Sequence, residues 1–93
     1  MKKPLSKITF TVTKRDVELG ERMEGNYCPI ARSINRTKKK KGIASVSKWK
    51  IIVGNKLYVP SNRVQEFIDN FDLGRIETTS FKDKTFTITE CRS

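Results

Sequence analysis

The sequence predicts a small, single α+β domain with elements in the order β-α-β-β-α-β and a mostly antiparallel sheet that carries helices on one face. Two segments near the ends alternate apolar residues with threonines, as half-buried strands do. A β-prone run encloses a two-residue turn at Gly54-Asn55, and two other segments have helical spacing. With 93 residues there is room for one domain. We assign residues 8–90 to it, 1–7 to a basic tail and 91–93 to a C-terminal tail.

The first strand is predicted where apolar residues alternate with threonines from Ile8 to Thr13. Thr13 can also cap a short helical turn, because Asp16 follows three residues later. Gly20 suits the end of that turn.

A second helix of about eight to ten residues is predicted to begin at Pro29, because proline fits the first helical position. Three apolar residues then fall on one face of the helix: Ile30, Ala31 and Ile34. Beyond it, residues 37–42 contain four adjacent lysines and a glycine, which predicts a mobile loop.

The clearest hairpin lies in residues 43–59, where strands at 43–53 and 56–59 flank the Gly54-Asn55 turn. This turn predicts two opposed pairs: Ile51 with Tyr58 and Ile52 with Leu57. One face would then carry Trp49, Ile51, Val53 and Tyr58. The other would carry Ile52, Leu57, Val59, Lys48 and Lys50.

The strongest helix is predicted over residues 61–73, with Ser61 as its N-cap and Gly74 as its stop. It has a complete apolar stripe: Val64, Phe67, Ile68 and Phe71. The last strand, at 85–89, nearly repeats residues 9–13. We therefore expect these two strands in one sheet with the same face buried.

Charge is the strongest functional signal. Twenty Lys and Arg residues oppose ten Asp and Glu residues, a net charge of +10. No acidic residue lies between Glu24 and Glu66. That stretch contains Arg32, Arg36, Lys38, Lys39, Lys40, Lys41, Lys48, Lys50, Lys56 and Arg63. Segregated positive charge attracts polyanions, which indicates nucleic acid, a phosphorylated nucleotide or an acidic protein as the partner.

Two groups of this stretch are candidate anion-binding residues. Arg32 and Arg36 follow a helix N-terminus and could bind phosphate or carboxylate there. Alternatively, both arginines are merely solvated. The four lysines of the loop could attract a nucleic-acid backbone, or could equally be a solvated loop without a partner: Lys38, Lys39, Lys40 and Lys41.

The hairpin is the third candidate. Trp49 and Tyr58 could stack bases while Lys48, Lys50 and Lys56 hold phosphates. Strand alternation places Lys56 on the aromatic face but the other two lysines on the opposite one. The aromatic face could therefore equally belong to the core.

Catalysis and metal binding have little support. Cys28 lies at a helix entry, which could lower its thiol pKa, but the chain lacks histidine and a glycine-rich phosphate loop. Cys28 and Cys91 alone cannot complete a zinc site, and a bridge between them is disfavoured without an export signal. We predict a non-enzymatic cytoplasmic protein without cofactor or membrane contact. The oligomeric state is left open.

Across residues 12–74 the chain resembles a group of small, poorly characterised bacteriophage accessory proteins. They share a VTxxDIxxG opening, a CPIAxAIxR segment and a VxxFIxxFDxG segment. The matching residues are Val12, Thr13, Asp16, Gly20, Cys28, Pro29, Ile30, Ala31, Ile34, Arg36, Val64, Phe67, Ile68, Phe71, Asp72 and Gly74. The chain departs from this pattern at Val17, Ser33 and the lysine loop.

The resemblance implies action in the host cytoplasm, in host takeover or counter-defence, and implies no reaction. Two functions fit: binding of nucleic acid or a phosphorylated nucleotide, or inhibition of a host defence or transcription enzyme by docking on its acidic patch.

Overall fold

A computed structural model of the chain describes residues 6–40 and 42–91. Within these ranges the elements are β1 (Lys7–Val12), α1 (Lys14–Leu19), α2 (Pro29–Lys38), β2 (Ala44–Val46), β3 (Ile51–Val53), β4 (Lys56–Val59), α3 (Asn62–Asp72) and β5 (Lys84–Glu90). The strands form one antiparallel sheet in the order β1-β5-β4-β3-β2. The predicted α+β class is confirmed.

The two threonine-rich strands pair with each other, as predicted. Phe10 lies opposite Phe86 and Ile8 opposite Ile88, and all four side chains are buried. The threonines occupy the other face, where the Oγ1 atoms of Thr9 and Thr87 lie 2.9 Å apart. A second threonine pair, Thr11 and Thr85, has the same separation. Alternation therefore divides this half of the sheet into an apolar face and a hydroxyl face.

The predicted first strand of the hairpin is in fact two strands, so the sheet has one strand more than expected. The chain reverses between β2 and β3 through residues 47–50. Ser47 closes this turn, because its N–H donates to Lys50 O at 2.9 Å and its Oγ accepts the Lys50 N–H at 3.1 Å. The predicted register of β3 with β4 is confirmed, and Gly54 has the positive φ of +64° expected in their turn.

Helix α1 forms where the capping signal predicted a helical turn. Asp16 N–H donates to Thr13 Oγ1 at 3.3 Å, and Thr13 N–H donates back to Asp16 Oδ2 at 2.9 Å. Gly20 ends the helix. A Cβ on Gly20 would lie 2.7 Å from Pro29 Cδ, so glycine permits the close approach of α1 to α2.

Helices α2 and α3 cover the apolar face of the sheet with the predicted side chains. All seven predicted apolar residues of these helices are buried: Ile30, Ala31, Ile34, Val64, Phe67, Ile68 and Phe71. Phe67 packs edge-on to Phe86, with ring centroids 5.7 Å apart. Among the described residues, no helix is long and apolar enough to cross a membrane.

Two predicted boundaries change. Lys7 begins β1 instead of ending a tail, and Ser6 O accepts the Glu90 N–H at 2.8 Å. Lys38 belongs to α2, and Lys39 ends the helix in the left-handed conformation with φ +57°. The predicted loop is therefore shorter by these residues. Residues 1–5, Lys41 and 92–93, which include most of the predicted tails, lie outside the described ranges.

Candidate anion-binding site

The two arginines of the predicted helix-entry site bind an internal carboxylate. Arg36 Nη1 and Nη2 donate to Asp16 Oδ1 and Oδ2, each at 2.8 Å, and Nη2 also donates to Thr11 O at 2.8 Å. Arg32 Nε lies 3.5 Å from Asp16 Oδ1 and is buried without a hydrogen-bond partner. We call these three residues, Asp16, Arg32 and Arg36, the Asp16 cluster. The predicted anion site is thus largely occupied by the protein's own Asp16 carboxylate. This corrects the prediction above all for Arg36, which donates to both oxygens of that carboxylate.

Electrostatics explain why this cluster is structural. The Asp16 side chain is only 1% exposed, whereas that of Arg36 is 51% exposed. Burial alone would raise the Asp16 pKa, but the Arg36 hydrogen bond and the Thr13 N–H together lower it below its ordinary value. The Arg36 pKa is raised, chiefly by its hydrogen bond to Asp16. Both groups are therefore held in their charged forms.

The N-terminus of α2 is also occupied. Cys28 caps the helix, and its Sγ accepts the Ala31 N–H at 3.4 Å. Burial raises the pKa of the Cys28 thiol, whereas a catalytic cysteine at a helix entry would need a lowered one. Cys28 and Cys91 are free thiols, the first buried and the second exposed.

The predicted base-stacking platform is wrong. Tyr58 is 2% exposed and belongs to the core, whereas Trp49 is 72% exposed in the β2–β3 turn. Lys48 lies beside this tryptophan, with Nζ 5.1 Å from the ring centroid, and forms an ion pair with Asp69 at 2.9 Å. Lys50 lies in the same turn, exposed. The prediction failed because it extended the in-and-out alternation of β3 side chains back to Trp49, which lies in the turn before that strand.

A different set of lysines converges at the other end of the β3 and β4 strands. Lys7 of β1, Lys38 at the end of α2, Lys40 just beyond it and Lys56 of β4 line a groove of about 480 Å³. We call it the lysine groove. The remaining lining residues are Ser6, Ile43, Val53, Gly54, Asn55 and Tyr58, none of them acidic.

The lysines of this groove have no carboxylate partner among the described residues. Lys56 Nζ instead donates to Ser6 Oγ at 3.0 Å. One carboxylate lies behind the groove, where Glu90 Oε1 accepts the Ser6 N–H at 3.1 Å. The Tyr58 pKa is raised by burial and then by this glutamate. The groove is therefore lined by four lysines and by no acidic residue among those that the structure describes.

Asn35 holds both ends of the lysine turn. Its backbone O accepts the Lys40 N–H at 3.0 Å. Its Oδ1 accepts the N–H groups of Ile43 at 3.2 Å and Ala44 at 2.9 Å. Lys38 and Lys40 therefore have hydrogen-bonded backbone positions, and the mobility of the loop stays a prediction.

A second cavity of the same volume, about 480 Å³, lies between α3 and the segment before β5. Three aromatic rings contribute to it: Phe67, Phe81 and Phe86. Its charged lining is mixed: Arg63, Glu66, Glu77, Lys82 and Lys84. Mixed charge gives this cavity no preference for anions, so the lysine groove is the better candidate.

The structure thus brings together only part of the predicted set. Lys38, Lys40 and Lys56 meet in one groove, Lys39 caps α2 beside it, and Lys41 lies outside the described ranges. Lys7 joins them although it was assigned to a tail; its position just before the first alternating apolar residue was the available signal. Among the described residues, no group of three or more cysteine or acidic side chains is placed to hold a metal ion.

Comparison with protein-family models, curated proteins and solved structures finds no match to this chain.

Proposed function

We propose that the chain binds nucleic acid or a phosphorylated nucleotide by its phosphate groups, in the lysine groove. The observation that carries this proposal is the convergence of four lysines in a groove without an acidic lining residue. Four lysines without an acidic neighbour in the lining give the groove a positive potential, which attracts anions.

The attraction of the groove for phosphate groups comes from the lysine side chains and not from the backbone. The N–H groups of Lys39 and Lys40 both donate to carbonyls of α2, so neither is available to a ligand. The C-terminal end of α2 also carries partial negative charge, which the lysines must outweigh. Binding through flexible ammonium groups is strongly salt-dependent and weakly selective for sequence. The burial of Tyr58 supports the same reading, because no aromatic ring in the groove is exposed for stacking.

A second candidate is docking of the same basic surface on an acidic patch of a host defence or transcription enzyme. Three apolar side chains on the open face of the sheet favour it: Ile52, Leu57 and Val59, which are 37%, 40% and 49% exposed. Protein interfaces combine an apolar centre with a charged rim. In either case we propose action by binding alone, and the sequence resemblance supports a phage accessory role in the host cytoplasm.

The test replaces Lys38, Lys40 and Lys56 with serine and measures binding of fluorescent single-stranded and double-stranded oligonucleotides by anisotropy. We expect at least roughly tenfold weaker binding, and a smaller slope of log Kd against log salt, because about three phosphate contacts are lost.

The matched control replaces Lys14, Lys50 and Lys82, three lysines outside the groove, and thus makes the same change in net charge. Equal weakening by both variants would show that net charge and not the groove binds the oligonucleotide. If the wild-type chain does not bind oligonucleotides but binds an acidic protein tightly, that result would instead support the second candidate.

A further inference from the structure

The two edges of the sheet differ in how their outward backbone groups are satisfied. At the β2 edge, the Ala44 N–H donates to Asn35 Oδ1 at 2.9 Å and the Val46 N–H donates to Gly25 O at 3.0 Å. A side chain and a loop therefore cover that edge. Covered edges are the usual protection against unwanted strand pairing.

Among the residues that the structure describes, none covers the β1 edge in this way over most of its length. In an antiparallel pair, alternate residues direct their N–H and C=O groups toward the partner strand and away from it. Glu90 N–H donates to Ser6 O, so the even-numbered residues of β1 bond to β5. The odd-numbered residues, Lys7, Thr9 and Thr11, therefore point their backbone groups outward.

One of these outward groups is occupied, because Thr11 O accepts a hydrogen bond from Arg36 Nη2 at 2.8 Å. No partner is present among the described residues for the backbone groups of Lys7 and Thr9 or for the Thr11 N–H. An exposed row of this kind is a template for an added strand.

The charges along this edge are mostly positive. The Lys7 side chain is exposed, Lys14 is exposed just beyond the strand, and the half-exposed Arg36 guanidinium marks its far end. The nearby Asp16 is buried and paired with Arg36. Asp83 is close enough to raise the Arg36 pKa and is the opposing charge at that end.

We propose that the outer edge of β1 binds an extended acidic peptide of a partner protein as an additional antiparallel strand. Acidic side chains at alternate peptide positions would lie beside Lys7, Thr9 and Thr11 on the hydroxyl face of the sheet. A second copy of this chain is disfavoured as the occupant, because each copy has a charge of +10 and pairing would bring their edge cations together. This inference uses residues outside the lysine groove except for Lys7.

The test uses a seven-residue peptide of alternating Glu and Val with blocked ends, titrated into the wild-type protein at low salt. Two derivatives are compared, one N-methylated at two Glu residues and one at two Val residues. Only the Glu N–H groups would face β1, so we expect the first derivative to bind roughly tenfold more weakly than the second. Hydrogen exchange at Lys7, Thr9 and Thr11 should slow when the unmodified peptide binds.

Equal affinity of the two derivatives, or no binding at millimolar peptide, would overturn the proposal. Slow exchange at these amides in the dilute protein alone would show that the edge is already covered. Exchange that slows with protein concentration alone would identify a second copy as the occupant, also against the proposal.

A pair of variants of the protein itself gives an independent check of the proposed strand addition. Thr9→Pro removes an outward N–H that the fold does not use, whereas Thr9→Ala keeps it, and both lose the hydroxyl. We expect weaker peptide binding for Thr9→Pro alone. The Lys38→Ser, Lys40→Ser double variant should retain peptide binding, so failure of the lysine groove to bind phosphate would not be confused with failure here.

Discussion

Helix α2 carries two arginines, Arg32 and Arg36, and ends in lysines, and these two basic sets differ in their surroundings. Arg36 donates to a buried carboxylate at 2.8 Å through two nitrogens, whereas Lys38 lines a groove without acidic residues. The two arginines are four residues apart and the lysines are consecutive, but sequence alone makes both sets candidate anion-binding residues. What separates a structural cation from a candidate binding cation is the presence of a carboxylate contributed by another element.

The largest effect should come from breaking the Asp16 cluster. Arg36→Ala leaves the buried Asp16 carboxylate without its main partner, and we expect a loss of about 2–3 kcal/mol in the free energy of unfolding. The partial exposure of Arg36 keeps this estimate below that for a fully buried pair. Urea denaturation measures it. Arg32→Ala is the matched control and should lose less, because its Nε makes no hydrogen bond to Asp16.

A pH series sharpens the same comparison. The folded-state pKa of Asp16 lies below its ordinary value of 3.8, so its stabilising contribution is present above that value and is lost as pH falls through the lower, folded-state pKa. We expect Asp16→Asn to be less stable than wild type by about 1–2 kcal/mol at neutral pH. This gap should narrow as the pH is lowered below the ordinary carboxyl range. Thermal unfolding at several pH values measures it, and a gap independent of pH would contradict the role given to the Asp16 charge.

The smallest stability effect should come from the lysines. Replacing Lys38 and Lys40 with serine should change the free energy of unfolding by no more than about 0.5 kcal/mol, because neither side chain forms an ion pair with a residue that the structure describes and both are exposed. The same variant should weaken oligonucleotide binding. A large loss of stability would show that these lysines, like Arg36, serve the fold.

Local chemistry made much of the fold predictable. Alternation identified β1 and β5, the Thr13–Asp16 spacing identified α1, and the apolar stripe identified α3. The division of residues 43–53 was missed because the turn at 47–50 lacks glycine, proline and asparagine; the Ser47 hydroxyl closes it through contacts with Lys50. That hydrogen-bonded turn is not evident from hydrophobic periodicity.

The site was predicted less well because it depends on pairing between distant residues. Arg36 and Asp16 are 20 residues apart, and only the packing of α1 on α2 brings them together. Lys7 and Lys56 reach the groove through the sheet order, in which β5 separates β1 from β4. Composition identified the basic character of the region but could not distinguish neutralised cations from those facing the groove.

The unequal environments of the two thiols have a practical consequence. Cys91 is exposed, and its N–H donates to Leu57 O at 2.8 Å. The preceding residue, Glu90, pairs with Tyr58, which lines the lysine groove. Cys28 is buried with a raised thiol pKa. A maleimide fluorophore should therefore label the wild-type chain at Cys91 alone, and the native sequence already contains a reporter position for ligand titrations beside the groove.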